Sequence, residues 1–244
     1  MSAARHRLFV APAQLGGSEV ALTPEQGRYL QAVLRLEAGA GIEVFDGQGG
    51  RYRARLAAPG RLRIEERMAQ QARPLDVVLV QALAKGEKFD LVVQKATELG
   101  ASRILPLAAE RAVVRLDPSR GQSRTERWRR IAQEAARQCG RSDVPRIDEP
   151  CGWEGVFSLL RDDPDRRGLL LDAQERELRL GAAARGAPRL LIVVGPEGGF
   201  SPEERNRARE EGILPVALGP LVLRTETAGL AALAVVLHVH GALG

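Results

Sequence analysis

The stretch LLIVVGPEGGFSPEE, Leu190 to Glu204, limits the fold more than any other part of the chain. Leu190 to Val194 is a run of β-branched and apolar residues, the composition of a buried strand. Gly195-Pro196-Glu197-Gly198-Gly199 then forces a loop. A strong helix start follows, with Ser201 as cap, Pro202 at the first helical position and Glu204 completing a capping box. Strand, glycine loop and helix in this order usually hold a phosphate. Here no Lys-Ser or Lys-Thr follows the glycines, and their spacing is not G-x-G-x-x-G. The loop therefore calls for a ligand other than a nucleotide phosphate.

The rest of the chain sets this unit in an α/β domain. From Leu75 onward strand and helix alternate, which predicts a mostly parallel sheet. LDVVLVQAL reads as an unbroken apolar strand, buried on both faces. KFDLVVQKATELG reads as a helix stopped by Gly100, SRILPL as a strand, and SRTERWRRIAQEAARQCGR as a long amphipathic helix with an arginine-rich face. GLLLD, RLLIVVG and ILPVALG are further strands, and SPEERNRAREEG is a helix stopped by Gly212. Residues 1–72 are β-rich instead. RLFVA and GIEVFDG read as strands, and LTPEQGRYLQAVLRL as one helix capped by Thr23 and ending near Gly39. The composition changes around AQQARPLD, so the chain divides into residues 1–72 and 73–244.

In GRYRARLAAPGRLRIEE the period is two. Arg51, Arg53 and Arg55 share one face, and Arg61 and Arg63 resume the pattern after the APG turn. Five arginines on one hairpin repel each other unless an anion intervenes, so this surface suits phosphate tracking; the rival reading is a polar sheet face in water. The formal net charge of +5 likewise favours an anionic partner, RNA before membrane, over a merely solvated basic surface. Of 36 basic residues only Lys85, Lys88 and Lys95 are lysines, and they fall in one short span. Lys88 and Lys95, seven apart, share a helix face that either lines an RNA path or is solvated. Arg7, beside His6, joins the expected RNA contacts.

Other classes are disfavoured. Cys139 and Cys151 form no disulfide framework and have no metal-ligand spacing, so a reducing compartment and no metal are expected. His238 and His240, two apart on a helix, cannot converge on one metal. No signal-peptide core is present, and the longest apolar run, Ala228 to Leu237, is too short to span a bilayer. The expectation is a cytoplasmic protein without a membrane partner. Trp128 either stacks on a base or packs, with packing favoured.

Three strand ends carry the chemistry: Leu171-Asp172-Ala173, Gly195 to Gly199, and Leu218-Gly219-Pro220-Leu221, which runs on into VLRTETAGLAAL. In open parallel sheets ligands sit at the carboxyl ends of strands. None of the three loops offers a triphosphate cradle, so the pocket suits a neutral or cationic ligand with an adenine ring.

VGPEGGFSPEE together with LGPLVLRTETA resembles the SPOUT methyltransferases, and the fuller resemblance is to the RsmE family, the 16S ribosomal RNA uridine N3-methyltransferases. KGEKFDLVVQKATELG, ERWRRIAQEAARQCGR and RLFV match further blocks of that family, so the resemblance covers nearly the whole chain. It implies an N-terminal PUA-like β-barrel domain that binds RNA and a C-terminal SPOUT α/β domain threaded as a trefoil knot. Composition and periodicity alone disfavour a knot. It also implies S-adenosylmethionine as cofactor, held by Gly195, Pro196, Glu197, Gly198 and Gly199 on one wall. Leu218, Gly219, Leu223, Arg224, Thr225, Glu226, Thr227 and Ala228 form another wall, with Leu171 and Asp172 at the border. The implied partners are 16S ribosomal RNA in the small ribosomal subunit and a second copy of the chain.

Uridine N3 carries a proton at neutral pH and attacks only when that proton is lost or shared. Glu226 is the expected base, the rival role being a first-turn carboxylate that favours the helix dipole. Arg224 is expected to stabilise the uracil anion, or else to pair with an RNA phosphate. The final helix, Glu226 to about His240, is apolar on nearly every side and is expected to be buried all round, in a core or an interface. Two alternatives stay open at this point: methylation of another RNA atom, such as a ribose 2′-oxygen, and a non-catalytic RNA-binding assembly factor.

Overall fold

A computed structural model gives the architecture and describes residues 6–70, 75–84, 87–112 and 118–244. Lys85 and the expected linker end at Pro74 lie outside the described residues. The chain forms two compact units, Met1–Ala72 with Gln133–Val144, and Arg73–Ala132 with Pro145–Gly244.

The first unit contains β1 (Arg7–Phe9), β2 (Glu19–Ala21), α1 (Pro24–Arg28), β3 (Gly41–Phe45), β4 (Arg51–Ala58) and β5 (Arg61–Met68). The strands form a curled mixed sheet in the order β1-β3-β4-β5-β2. β1 runs parallel to β3, and the other pairs are antiparallel. The period-two reading of the hairpin holds: Ala54, Leu56 and Leu62 are buried, while Arg55, Arg61 and Arg63 are exposed. Gly60 closes the turn at φ 77°, a backbone state that favours glycine. Leu8, Val20, Leu30, Ile42 and Val44 complete the core. Full burial of each such side chain contributes about 2 kcal/mol.

The expected single helix from Thr23 to Gly39 is shorter. Thr23 Oγ1 does accept from the Gln26 backbone N–H at 3.2 Å, and Gln26 Oε1 accepts from that of Thr23 at 2.8 Å, the predicted capping box. After α1, however, the chain widens into a π-helical turn over Tyr29–Val33 and leaves the helix at Arg35, whose φ is 55°. The reason lies in packing: this exit turns Leu36 back onto the cluster that holds Leu30 and Leu34, which a regular helix would not do.

The second unit contains β6 (Asp76–Ala82), α2 (Lys88–Glu98), β7 (Arg103–Leu107), α3 (Pro118–Cys139, whose last turns belong to the first unit), β8 (Arg146–Ile147), α4 (Trp153–Arg161), β9 (Arg167–Leu171), α5 (Leu180–Ala184), β10 (Arg189–Val194), α6 (Pro202–Glu210), β11 (Leu214–Val216) and α7 (Thr225–Val239). All sheet pairings are parallel, in the order β11-β9-β10-β6-β7-β8. Gly100 (φ 96°) and Gly212 (φ 81°) follow α2 and α6 as predicted. Trp128 packs: it is buried against Phe89, ring centroids 4.3 Å apart, and its Nε1 donates to Asp90 Oδ1 at 3.0 Å.

Two readings of this unit need correction. β6 is buried from Val77 to Ala82 but is not uniformly apolar, because it opens on the half-buried Asp76 and Gln81 is fully buried in it. Nor is α7 buried on every side within the chain. Gly229, Ala232, Leu233, Val236 and Leu237 are buried, whereas Leu230, Ala231, Ala234 and Val235 are only half-buried. One side packs on β6, β10, α2 and α5, and these elements cannot wrap the whole helix. No described helix is long and apolar enough to cross a membrane.

Candidate active site

β11, β9 and β10 are neighbours in the sheet, so the loops after their carboxyl ends converge. Between them lies a cavity of about 730 Å³. Every residue expected on the cofactor walls lines it, Arg224 included, except Glu226 and Thr227. Thr225 and Ala228, three apart, share the face of α7 turned to the cavity, whereas Thr227 is rotated away and exposed. The structure adds Arg111, Gln174, Phe200, Arg205, Leu221 and Val222 to the lining. Leu221 and Val222 are strongly exposed for apolar residues, at 76% and 83%.

The glycine loop owes its shape to local packing. A Cβ on Gly195 would stand 3.0 Å from the Phe200 ring, which is buried against Trp153. Gly199, at φ 67°, closes a turn by donating its N–H to Pro196 O at 2.9 Å. The predicted cap of α6 is present, and its Glu204 does more than cap. Oε2 accepts from the Ser201 N–H at 2.9 Å, while Oε1 accepts from the Glu110 N–H at 2.9 Å and Trp153 Nε1 at 2.8 Å. One buried carboxylate thus fixes the loop, the Glu110–Arg111 segment and α4 together. Arg111 Nη1 in turn donates to Gly198 O at 3.4 Å.

Across the cavity, Thr225 opens α7. Its Oγ1 donates to Gly195 O at 2.5 Å and accepts from Gln81 Nε2 at 2.8 Å, so the two walls are tied directly. At the border Asp172 Oδ1 accepts from the Gln174 N–H at 2.9 Å and lies 3.8 Å from Arg205 Nη1.

Glu226 does not line the cavity but belongs to a cluster at its edge. Lys88 Nζ donates to Glu197 Oε1 at 3.1 Å and lies 3.6 Å from Glu226 Oε1. The hydrogen bond to Glu197 holds the Lys88 ammonium above the ordinary lysine range; desolvation opposes it, and the nearby charges of Glu226 and Glu197 add to it. Glu226 Oε2 is buried and has no hydrogen-bond partner among the described residues. A carboxylate oxygen in that state is an acceptor awaiting a donor. Sequence reasoning missed the roles of Gln81 and Glu197's bond to Lys88; a polar residue inside an otherwise apolar strand was the available signal for Gln81.

The expected RNA contacts divide differently. Arg7 pairs with Glu43 at 3.0 Å, lies over the Phe45 ring, and donates to the Ala136, Arg137 and Arg141 carbonyls, so its guanidinium serves the first unit's own structure. The hairpin arginines have carboxylate neighbours: Arg51 with Glu43, Arg53 with Glu66, Arg55 with Glu65, and Arg61 and Arg63 with Glu19. The anion that their repulsion calls for is supplied by the chain itself. Lys95 pairs with Glu98 at 2.9 Å, one turn along α2.

A family model for an RNA methyltransferase domain matches residues 71–237, and one for an RNA methyltransferase PUA domain matches residues 22–65. The two domains are thus those of an RNA methyltransferase. The chain is 39% identical over 235 residues to the ribosomal RNA small subunit methyltransferase E of Synechocystis sp., covering 94% of this chain and 76% of that protein. It is 32% identical over 227 residues to the Bacillus subtilis protein of the same name, covering 88% of each. The crystal structure of the Neisseria gonorrhoeae protein of that name, bound to S-adenosyl methionine, superposes with a TM-score of 0.86 at 32% identity, over 95% of this chain and 96% of that one. The chain belongs to the ribosomal RNA small subunit methyltransferase E family, as the glycine-loop and LRTETA motifs implied.

Proposed function

We propose that this protein transfers a methyl group from S-adenosylmethionine to N3 of a uridine in the 16S ribosomal RNA of the small subunit. The observation that carries this reading is the meeting of three strand-end loops around one cavity with an unpartnered buried carboxylate oxygen at its edge. The pocket's chemistry fits the cofactor. Its walls combine glycine backbone and apolar side chains with a few polar groups; Asp172 at the border suits a cationic amino acid group, no described lysine lines the pocket, and of its arginines Arg111 donates to Gly198 O and Arg205 lies near Asp172. Gly195 to Gly199 would hold one side of the cofactor, and Leu218, Gly219, Leu223, Thr225 and Ala228 the other, with Leu171 and Asp172 at the border. When bound, S-adenosylmethionine supplies an electrophilic methyl carbon on a sulfonium.

The residues of the chain then act on the uracil. Glu226 accepts the N3 proton, directly or through water, and its unpartnered Oε2 is the atom free to do so. Arg224, exposed at the cavity rim, stabilises the negative charge that spreads over the uracil oxygens. Lys88 holds Glu226 and Glu197 at fixed places by charge. In this reading residues 1–72 are the RNA-binding part and 73–244 the catalytic part, threaded as a trefoil, in a cytoplasmic homodimer. The half-buried apolar side of α7 and the exposed Leu221 and Val222 support the dimer, since such surface is normally covered. The hairpin arginines would exchange their glutamates for phosphates, and Lys95 would lie along the RNA path.

Incubating the protein with labelled methyl donor and small ribosomal subunits, followed by mapping of the labelled nucleotide, tests the reading. A single N3-methyluridine is expected. Label on a ribose 2′-oxygen or on another base nitrogen would replace it.

A further inference from the structure

Gln81 occupies a place where an apolar side chain would be more stable. It is fully buried in β6, among Val77, Val78, Leu79, Val80 and Ala82. Its Oε1 has no hydrogen-bond partner among the described residues, which is unfavourable for a buried amide. The orientation of the amide follows from its neighbours. The Thr225 hydroxyl has one proton and donates it to Gly195 O at 2.5 Å. That hydroxyl can therefore only accept from Gln81, and only the NH2 end of the amide can donate, at 2.8 Å. Oε1 then faces α7 at Gly229, where a Cβ would stand 2.5 Å from it. A glycine inside a helix is itself unfavourable. Two destabilising choices, a buried carbonyl without a donor and a mid-helix glycine, thus serve one contact. In register, Gln81 pairs with Val194, the last residue before the glycine loop.

We propose that Gln81 is a positioning residue for the cofactor pocket. Through the Thr225 hydroxyl it fixes the Gly195 carbonyl and the first turn of α7 relative to each other, so that the two walls stand at their working separation before the cofactor enters. This rests on the methyl-donor reading above. The stability given up at positions 81 and 229 is the counterpart of that preorganisation.

The test uses the full chain and three variants, Gln81→Met, Thr225→Val and their combination. Three quantities are read: melting temperature, affinity for S-adenosylhomocysteine by calorimetry, and KM for S-adenosylmethionine against kcat. Gln81→Met is expected to melt at or above the wild-type temperature and yet to bind about tenfold more weakly, the size of one lost hydrogen bond, with KM rising more than kcat falls. Thr225→Val should weaken binding similarly, and the double variant no further than Thr225→Val alone, because both break one relay. Gly229→Ala, which displaces Oε1, should shift binding in the same direction. Binding by Gln81→Met within twofold of wild type would overturn the proposal. So would a loss of folding in that variant, a binding loss that only tracks a lower melting temperature, or additive effects in the double variant. If the wild-type protein itself shows no binding, the methyl-donor reading has failed and the relay falls with it.

Discussion

In the first unit the five arginines of the β4–β5 hairpin each find a carboxylate within the same sheet, whereas in the second unit Gln81 Oε1 and Glu226 Oε2 are buried with no partner among the described residues. The contrast teaches where to look for chemistry. Exposed ion pairs such as Arg53–Glu66 are worth at most about 1 kcal/mol and are easily exchanged for another anion. A buried acceptor without a donor is unfavourable in the free protein and gains when a ligand supplies the donor. The first unit is built to be stable and adaptable at its surface; the second gives up stability around one pocket.

The sharpest way to break this comparison is Glu226→Gln. Loss of the base should slow methyl transfer about a hundredfold or more. The deficit should shrink as pH rises, because solvent then supplies the uracil anion. Melting should change little. If the carboxylate serves only the helix dipole, single-turnover rates will be near normal and stability will drop by about 0.3–1 kcal/mol.

The converse is expected at Glu43, which Arg7 and Arg51 approach from two strands at 3.0 Å each. Burial pushes its carboxyl up, but the hydrogen bond from Arg51 and the charge and hydrogen bond of Arg7 outweigh that and hold it below the ordinary value of 4.5. Glu43→Gln should destabilise the protein by about 2–3 kcal/mol, read by chemical denaturation, and leave cofactor affinity intact. A depressed carboxyl stabilises the fold above its unfolded value and loses that contribution as pH falls through the folded one. The Glu43→Gln deficit should therefore fade below about pH 4.5. A cofactor defect in this variant would erase the distinction between the units.

Within the pocket, Gly198→Val should weaken S-adenosylhomocysteine binding by roughly tenfold or more, read by calorimetry, since a branched side chain would enter a space whose nearest neighbour is already Arg111 Cβ at 3.4 Å. The smallest effect is expected on the hairpin. Replacing Arg55, Arg61 and Arg63 by Gln should reduce the salt slope of RNA binding by roughly one unit per lost phosphate contact. An unchanged slope would leave these arginines to their glutamates alone.

Much of this was readable in the sequence because it rests on local physics. The strand at Leu190, the cap at Ser201 and the stops at Gly100 and Gly212 follow from propensity, capping and backbone freedom within a few residues. The identity of the two cavity walls came instead from the resemblance of the glycine-loop and LRTETA motifs to a known family, not from local physics. What escaped depends on partners distant in the chain. Glu19 neutralises Arg61 from a strand some forty residues earlier, and no periodicity shows it. Gln81 meets Thr225 only because β6 lies beside β10 under α7. Helix 24–39 failed as a reading because propensity favours continuation, while the core needs Leu36 turned inward. Thr227 was assigned by its motif rather than by its face of α7. Cys151 shows the same limit: burial first, then the charge of Asp148, pushes its thiol up to about 11, a property of its surroundings rather than of the sequence around it.

The account rests on the glycine-loop pocket taking a methyl donor instead of a nucleotide phosphate, and calorimetric titration of the wild-type protein tests this most directly. S-adenosylhomocysteine is expected to bind at one molecule per chain and to be displaced by S-adenosylmethionine, with no heat of binding from ATP or NAD. Saturable binding of ATP at the same site, with none of S-adenosylhomocysteine, would contradict it.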